Sequence, residues 1–179
     1  MPVDSKAARI KLLLFDVDGV LTDGAVLIHS DGTESKSFFI RDGIAILWAE
    51  RAGLRVGVLS ARTSPTTVHR ANQLGLTLVR QGVTNKLTAY EDILAELGVT
   101  DADVAYMGDD IVDMAVLARA GLSAAPADAV EEVRRQVDWV ARAGGGAGAA
   151  REFIELILRA QDRWEPLVQS LTSEAPLKA

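Results

Sequence analysis

The sequence predicts an α/β fold in which a parallel sheet lies between two layers of helices, a Rossmann-like three-layer arrangement. Short apolar runs alternate with longer segments of helical period along the chain, and strands that alternate with helices are joined by crossovers into a parallel sheet. Glycines such as Gly53 and Gly98 follow the helical segments, where left-handed backbone commonly ends a helix. The 179 residues fit one domain.

The elements can be assigned in chain order. Short, nearly continuous apolar runs predict buried strands at 10–15, 54–59, 76–79 and 104–107. Helical periodicity predicts helices over 44–52, 65–74, 86–97 and 111–120. The remainder predicts short edge strands at 122–124 and 139–141, a helix between them at 127–135, and a final amphipathic helix over 149–164.

One segment interrupts the alternation of strands and helices. Asp31 and Gly32 lie between two β-prone stretches, and this dipeptide is a strong hairpin signal. We therefore expect a β-hairpin insertion over 25–40, directly after the first strand. The domain itself is expected to cover 9–164.

Three other segments are predicted to be flexible. The polar ends at 1–8 and 165–179 have the composition of loose termini. The glycine-rich run at 144–148 is interpreted as a flexible hinge.

Composition excludes several classes of function. A formal charge of −6 argues against a general nucleic-acid binder, because such proteins neutralise phosphates with Lys and Arg. The absence of cysteine excludes a disulfide scaffold, a thiolate metal site and a Cys nucleophile. No apolar run approaches the ~20 residues that span a bilayer, and no hydrophobic signal region is visible at the N-terminus. We therefore expect a cytoplasmic protein without a membrane partner.

Paired carboxylates follow the first predicted strand. Asp16 and Asp18 are two residues apart at its carboxyl end, so both can face the same side of the sheet. Ligands of open α/β sheets bind beyond the carboxyl ends of the strands. Two carboxylates so close are costly unless a cation neutralises them or one binds a proton. A solvated turn would not need an Asp directly after five apolar residues.

Other chemically useful side chains follow the remaining strands. The second strand is followed by Ser60 and Arg62, and Lys86 begins the helix after the third. Each signal is weak alone, since a Ser is often a helix cap and a surface Lys is usually solvated. The fourth strand is followed by three carboxylates, Asp109, Asp110 and Asp113. Together these groups predict a divalent cation held by oxygen ligands beside a phosphate-sized ring of donors.

These motifs resemble those of a known superfamily. DVDGVLT at 16–22, a Ser after the second strand, a lone Lys and GDDxxD at 108–113 occur in the order found in haloacid dehalogenase-type phosphohydrolases. The pieces FxxRDG, SAR, QGVTNK and GGGAGAAREFIELIL are further similar to the branch that hydrolyses 3-deoxy-D-manno-octulosonate 8-phosphate (KDO 8-phosphate). This resemblance covers about 9–164.

The resemblance implies roles for the site residues. Asp16 would be the nucleophile that forms an aspartyl phosphate, and Asp18 the general acid and base. Mg²⁺ would be bound by Asp16, the backbone carbonyl of Asp18 and Asp109. Asp113 would support the metal from a distance or through water, whereas Asp110 is either a further ligand or a helix cap. Ser60 and Lys86 would hold the phosphoryl oxygens.

The resemblance also implies a substrate with both a phosphate and a carboxylate, used in lipopolysaccharide precursor synthesis. Arg62, Arg41 and Arg70 are the candidate carboxylate ligands, although Arg70 fits a solvated helix face equally well. Related phosphatases of nine-carbon keto-acid 9-phosphates tend to carry Glu at the position of Arg62. Such a nine-carbon substrate, or a broader range of sugar phosphates, remains an alternative.

The spacing of the motifs leaves no room for a cap domain. A hairpin and one helix fill the segment from Asp18 to Ser60, so we expect a neighbouring subunit to close the pocket. The resemblance implies a homotetramer assembled through the hairpins; a hairpin packed on its own sheet is the alternative. A bacterial receiver domain, which also gathers carboxylates, a hydroxyl and a Lys around Mg²⁺, is a distant alternative. The third predicted strand lacks the Asp that a receiver would phosphorylate.

Overall fold

A computed structural model describes residues 1–173 and has the predicted three-layer α/β architecture. The strands are β1 (Leu12–Phe15), β2 (Leu27–Ile28), β3 (Glu34–Ser35), β4 (Arg55–Leu59), β5 (Leu78–Arg80), β6 (Val104–Met107), β7 (Leu122–Ala125) and β8 (Trp139–Val140). The helices are α1 (Val3–Ala7), α2 (Ile40–Arg51), α3 (Pro65–Gln73), α4 (Lys86–Leu97), α5 (Met114–Leu117), α6 (Glu131–Arg134), α7 (Ala149–Ala160) and α8 (Trp164–Ser173).

Six of the strands form one parallel sheet in the order β5-β4-β1-β6-β7-β8. β1 lies in its centre, with Phe15 in register with Val58 on one side and Met107 on the other. The carboxyl ends of β1, β4 and β6 therefore lie side by side at one edge of the sheet. β2 and β3 form a separate antiparallel hairpin.

Both faces of the sheet are covered because successive side chains of a strand point to opposite faces. Leu13 and Phe15 belong to a core shared with α1, α2, α3, α7 and α8, and Phe15 meets Phe153 edge to face. Leu12 and Leu14 belong to the opposite core, which is built with α4, α5 and α6. Within residues 1–173, no helix is long and apolar enough to cross a membrane.

The chain ends differ from the expected flexible segments. Residues 3–7 form α1, whose Ala7 is buried in the core. Residues 164–173 form α8, in which Trp164 and Leu167 are buried against the same core. The Trp164 ring contacts that of Trp48, with 5.9 Å between the ring centres. The last part of the expected flexible end, 174–179, lies outside the described residues.

Several predicted boundaries also change. The helix expected over 44–52 begins earlier, at Ile40. The two strands of the hairpin are only two residues long each. The helix expected over 111–120 is divided into a 3-10 turn and α5. The final helix is interrupted before Trp164 by Asp162, which has a φ of +55°, a conformation that a non-glycine residue rarely adopts.

The glycine-rich run at 144–148 is packed rather than a free hinge. The Gly146 amide donates to the Val20 carbonyl at 2.9 Å, and that of Gly145 donates to Asp128 Oδ1 at 2.9 Å. A Cβ on Gly145 would lie 1.9 Å from the carbonyl oxygen of Gly19. Because only glycine permits this approach, the run serves as a backbone support for the loop that follows β1.

Candidate active site

The predicted catalytic carboxylates meet where β1, β4 and β6 end. The Asp16 amide donates to the Met107 carbonyl at 3.0 Å, which continues the pairing of β1 and β6 by one residue. A cavity of about 180 Å³ opens there. Its lining residues are Asp16, Asp18, Ser60, Ala61, Arg62, Lys86, Asp109, Asp110 and Val112.

Asp16, like Ser60 and Lys86, is buried at this cavity. Its side chain is 9 % exposed, its Oδ1 accepts from the Val17 amide at 2.7 Å, and its Oδ2 lies 3.0 Å from Lys86 Nζ. Burial raises the pKa of Asp16 to about 6, while the Lys86 ammonium opposes that rise and Asp113 adds to it. The carboxylate is thus poorly hydrated and held by a single ammonium group.

Lys86 connects Asp16 to a buried network. Its Nζ lies 2.6 Å from Asp113 Oδ1, which also accepts a hydrogen bond from the hydroxyl of Tyr106. Burial alone would lower the pKa of Lys86, but Asp16 and Asp113 together raise it above its usual value. Lys86 therefore carries a fixed positive charge beside Asp16. It occupies the first position of α4, whose cap is the Asn85 side chain.

Asp113 and Asp110 have distinct surroundings. Asp113 Oδ2 accepts from the amides of Asp109 and Asp110 at 3.1 and 3.3 Å, so Asp113 holds the loop after β6 in place. Asp110 is the N-cap of the 3-10 turn at 111–113, and its Oδ1 accepts from the Ile111 amide at 2.7 Å. The capping interpretation of Asp110 therefore fits its geometry.

Three carboxylates form a group that fits a divalent cation. Asp16, Asp109 and Asp113 each offer an oxygen within 4.8 Å of the others. Asp109 Oδ1 is buried without a hydrogen-bond partner among the described residues. Burial and the charges of Asp16 and Asp113 raise the pKa of Asp109 to about 7. A small cation bound by hard oxygen ligands would relieve both the repulsion and the missing contact.

The loop after β1 approaches this group closely. A Cβ on Gly19 would lie 2.0 Å from Asp109 Oδ2, and the φ of Gly19 is +90°. Both the space and the backbone conformation therefore require glycine at this position of the DVDG motif.

Charged residues of the hairpin reach the mouth of the cavity. Lys36 Nζ lies 2.7 Å from Asp18 Oδ1 and 2.9 Å from Oδ2, and its side chain is only 1 % exposed. Glu34 Oε2 accepts from Arg62 Nη2 at 3.0 Å. Lys36 and Glu34 were not among the residues predicted from the sequence. The available signal was their spacing, since residues two apart on a strand share a face.

Ser60 lies at the end of β4 as predicted. It is buried, its Oγ accepts from the Arg62 amide at 3.3 Å, and it lines the cavity together with Asp16. Arg62 is half-exposed at the mouth, where its Nε lies 3.6 Å from Asp18 Oδ2. One predicted substrate ligand, Arg62, thus faces the carboxylates.

Arg41 and Arg70 are not brought to this cavity within the chain. The guanidinium of Arg41 lies 5.9 Å from the centre of the Phe39 ring. That of Arg70 lies 5.9 Å from the centre of the Phe38 ring and donates to Gln73 at 3.3 Å. Both line other surface depressions, beside α7 and between α2 and α3. They lie there because they are on helices α2 and α3 rather than on the loops after the strands.

Comparison with known proteins places this geometry in a family. A model of the haloacid dehalogenase-like hydrolases matches residues 58–151. The chain is 41 % identical over 161 residues to the KDO 8-phosphate phosphatase of Escherichia coli. This match covers 90 % of this chain and 86 % of that protein.

Two solved structures are also similar. The KDO 8-phosphate phosphatase of Moraxella catarrhalis, in complex with magnesium ion, phosphate ion and KDO, has a TM-score of 0.92 at 34 % identity and covers 94 % of this chain and 97 % of that one. The cobalt-bound form of the deoxy-D-mannose-octulosonate 8-phosphate phosphatase of Haemophilus influenzae has a TM-score of 0.90 at 40 % sequence identity. The match covers 94 % of this chain and 99 % of that chain.

These matches decide between the alternatives left open for the class of protein. The receiver-domain alternative is wrong, because the matching proteins are hydrolases along most of the chain. The predicted superfamily, the α/β fold and the hairpin after the first strand are confirmed. The chain belongs to the haloacid dehalogenase-like hydrolases, in the group that includes the KDO 8-phosphate phosphatases.

Proposed function

We propose that this protein is a Mg²⁺-dependent phosphatase that hydrolyses KDO 8-phosphate to KDO and inorganic phosphate. The observation that supports this most directly is the enclosed Asp16 carboxylate, which faces a cavity beside Lys86 and Asp109. A buried carboxylate beside a fixed ammonium group is suited to attack a phosphoryl group, whose negative oxygens need cationic partners. The relatives named above act on this substrate or bind its product.

The reaction proceeds in two displacements. A carboxylate oxygen of Asp16 forms a bond to phosphorus while the bond from phosphorus to the sugar oxygen breaks, and Asp18 donates a proton to that oxygen. Water then attacks the aspartyl phosphate, Asp18 accepts its proton, and phosphate leaves with Asp16 restored. Lys86 and the Ser60 hydroxyl hold the phosphoryl oxygens throughout.

The proposed ligands of Mg²⁺ are Asp16, Asp109 and the backbone carbonyl of Asp18. Asp113 would support the metal from a distance or through water. The bound cation supplies charge neutralisation for the phosphoryl oxygens. Asp113 also keeps Lys86 in place through its Oδ1.

Arg62 gives the proposed site its preference for a keto acid. Its guanidinium is half-exposed at the cavity mouth, where the end of a sugar phosphate distant from phosphorus would lie. A planar guanidinium fork pairs well with a carboxylate.

The test compares hydrolysis rates for KDO 8-phosphate, a nine-carbon keto-acid 9-phosphate and simple sugar phosphates in the presence of Mg²⁺. We expect the highest kcat/KM for KDO 8-phosphate and no turnover in EDTA until Mg²⁺ is restored. Equal rates on every ester would contradict the proposed substrate, and a faster nine-carbon reaction would replace it.

We further propose that the protein acts in the cytoplasm as a homotetramer with shared active sites. Leu27 and Ile28 in the hairpin are 63 % and 73 % exposed, and α2 presents Ile40, Ile44 and Leu47 on one face to solvent. Clusters of exposed apolar residues of this kind are typical of protein interfaces. A single species of monomer mass in light scattering at micromolar concentration would contradict this assembly.

A further inference from the structure

We propose that Glu34 is a positioning residue that fixes the Arg62 guanidinium for recognition of the substrate carboxylate. This inference rests on the proposed function, because it concerns the part of the substrate that Arg62 would bind. It assigns to the hairpin a role inside its own subunit, separate from any contact with a neighbour.

Glu34 holds Arg62 through a well-anchored carboxylate. Its Oε2 accepts from Arg62 Nη2 at 3.0 Å, and its Oε1 accepts from the hydroxyl of Ser64. Ser64 is buried and is also the N-cap of α3, so it joins Glu34 to a fixed element. The hydrogen bond from Ser64 lowers the pKa of Glu34, and the nearby charges of Lys36 and Arg62 lower it further, so Glu34 remains charged.

The Arg62 side chain is held from two sides. Glu34 binds Nη2, while Asp18 Oδ2 lies 3.6 Å from Nε. Asp18 is in turn paired with Lys36. Charges of alternating sign therefore follow one another across the cavity mouth, from Lys36 through Asp18 and Arg62 to Glu34.

This arrangement leaves part of the guanidinium available. The group has five N–H donors in a rigid fork, and Glu34 and Asp18 face only Nη2 and Nε. The side chain is still 50 % exposed. The remaining donors can thus face a carboxylate that enters from solvent.

Preorganisation explains why a second carboxylate near a carboxylate-binding site is useful. Immobilising a free Arg side chain costs conformational entropy. A side chain that is already fixed before the substrate arrives avoids this loss, and binding is tighter by the amount saved. Without Glu34, the Arg62 guanidinium would also be free to move toward Asp18 and pair with it fully.

The experiment measures KM and kcat of the full-length Glu34→Ala variant with Mg²⁺ and two esters, KDO 8-phosphate and p-nitrophenyl phosphate, which lacks a carboxylate. We expect KM for KDO 8-phosphate to rise about tenfold, a figure consistent with the entropy of one Arg side chain, and KM for p-nitrophenyl phosphate to stay unchanged. Glu34→Gln keeps an acceptor oxygen for Arg62, so it should recover most of the affinity for KDO 8-phosphate.

Two further variants separate positioning from structure. In an Arg62→Ala background, Glu34→Ala should have no additional effect on KM, because Glu34 acts through Arg62. Asp31→Ala is the matched control, since Asp31 binds only Thr33 in the turn of the same hairpin and carries the same charge. It should leave KM for both esters unchanged.

Three results would overturn the proposal. The first is a lower KM of Glu34→Ala for KDO 8-phosphate, which would mean that Glu34 competes with the substrate. The second is an equal rise for both esters, and the third is the same rise in Asp31→Ala; either would mean that hairpin order alone matters. If the wild-type enzyme fails to hydrolyse KDO 8-phosphate but hydrolyses p-nitrophenyl phosphate, the proposed substrate fails independently of Glu34.

Discussion

Asp16 combines three properties at one carboxylate: burial, contact with one ammonium group and proximity to two further acids. None of these would arise in a solvated turn. Burial makes the carboxylate a stronger nucleophile because fewer water molecules must leave before it attacks. The Lys86 ammonium stabilises the negative charge of the buried Asp16 carboxylate.

Replacing Asp16 by Asn should abolish turnover while the fold persists, because an amide of the same shape removes the nucleophile and one repelling charge. We expect a loss of turnover on the order of 10⁴-fold or more, as for other removed nucleophiles. Steady-state assays with Mg²⁺, together with thermal unfolding, measure both effects. Activity of more than a few per cent of wild type would contradict the role of Asp16.

The raised pKa values of Asp109 and Asp16 predict a pH dependence of the metal-free protein. Carboxyl groups whose pKa lies at about 7 and about 6 in the fold, against 3.8 ordinarily, bind more protons when folded than when unfolded. Their contribution to the free energy of unfolding therefore decreases as pH rises from about 4 to about 7. Without metal, these groups destabilise the fold most at neutral pH.

The variant Asp109→Asn tests whether the Asp109 carboxylate destabilises the metal-free fold at neutral pH. In EDTA at about pH 7.5 it should melt at a higher temperature than wild type, and the difference should shrink as the pH falls to about 5. Mg²⁺ should raise the Tm of wild type by mass action, with little effect on the variant. A variant less stable than wild type at neutral pH in EDTA would show that Asp109 is not under electrostatic strain.

At the scale of elements, the site depends on two loops that touch through glycine backbones. The run at 144–148 lies against the loop after β1, and Gly145 and Gly19 approach too closely for any side chain. The loop that carries Asp18 is therefore in close contact with both this run and Asp109. The sequence analysis interpreted the same glycines as a hinge, because composition alone does not distinguish a flexible run from one packed against another backbone.

Gly145→Ala should impair both stability and activity, because its Cβ would lie 1.9 Å from the Gly19 carbonyl oxygen. Overpacking of this kind typically costs about 1–3 kcal/mol, and the displaced loop would misplace Asp18. Urea unfolding and turnover of p-nitrophenyl phosphate measure the two effects.

Gly75→Ala is the control for Gly145→Ala. Gly75 has a φ of +68° and no atom within 4 Å of an added Cβ, so its variant should lose about 1–2 kcal/mol of stability without losing activity. Equal activity of the two variants would show that the contact with Gly19 does not support the site.

At the scale of the whole molecule, the sequence predicts the parts that follow from local rules. Asp16, Asp18, Ser60 and Asp109 were predicted at the site because residues after parallel strands share one edge of the sheet. Glu34 and Lys36 were missed because β3, which contains Glu34 and ends directly before Lys36, is only two residues long. No local pattern specifies where such a short hairpin docks.

The segment 165–173 was also mispredicted because its structure depends on packing against distant parts of the chain. Residues 165–173 have the composition of a tail but form part of α8, because Trp164 and Leu167 find buried positions on the distant helices α2 and α7. Such long-range packing is what local propensity omits. Arg41 and Arg70 line other depressions for a related reason, since the face of a helix that meets a site depends on how the helix packs.

The exposed hairpin leads to a prediction about assembly. Replacing both Leu27 and Ile28 by Ser removes the apolar surface of β2. The identities of Glu34 and Lys36 stay the same, and the backbone pairing of Ile28 with Glu34 can be kept. We expect a lower molecular mass in light scattering and a higher KM for KDO 8-phosphate, with hydrolysis of p-nitrophenyl phosphate retained. Unchanged mass in the double variant would place the subunit interface elsewhere, and the exposed surface of α2 would be the next to change.

The position of Glu34 has a consequence for how such enzymes diverge. The groups proposed to transfer phosphate follow strands of the central sheet, whereas the proposed partner of Arg62 belongs to an insertion outside it. Substitutions in this insertion can alter which esters are accepted without disturbing the sheet or its chemistry. Substrate preference can therefore change through substitutions in the hairpin, while the residues at the carboxyl ends of the sheet strands keep the same reaction.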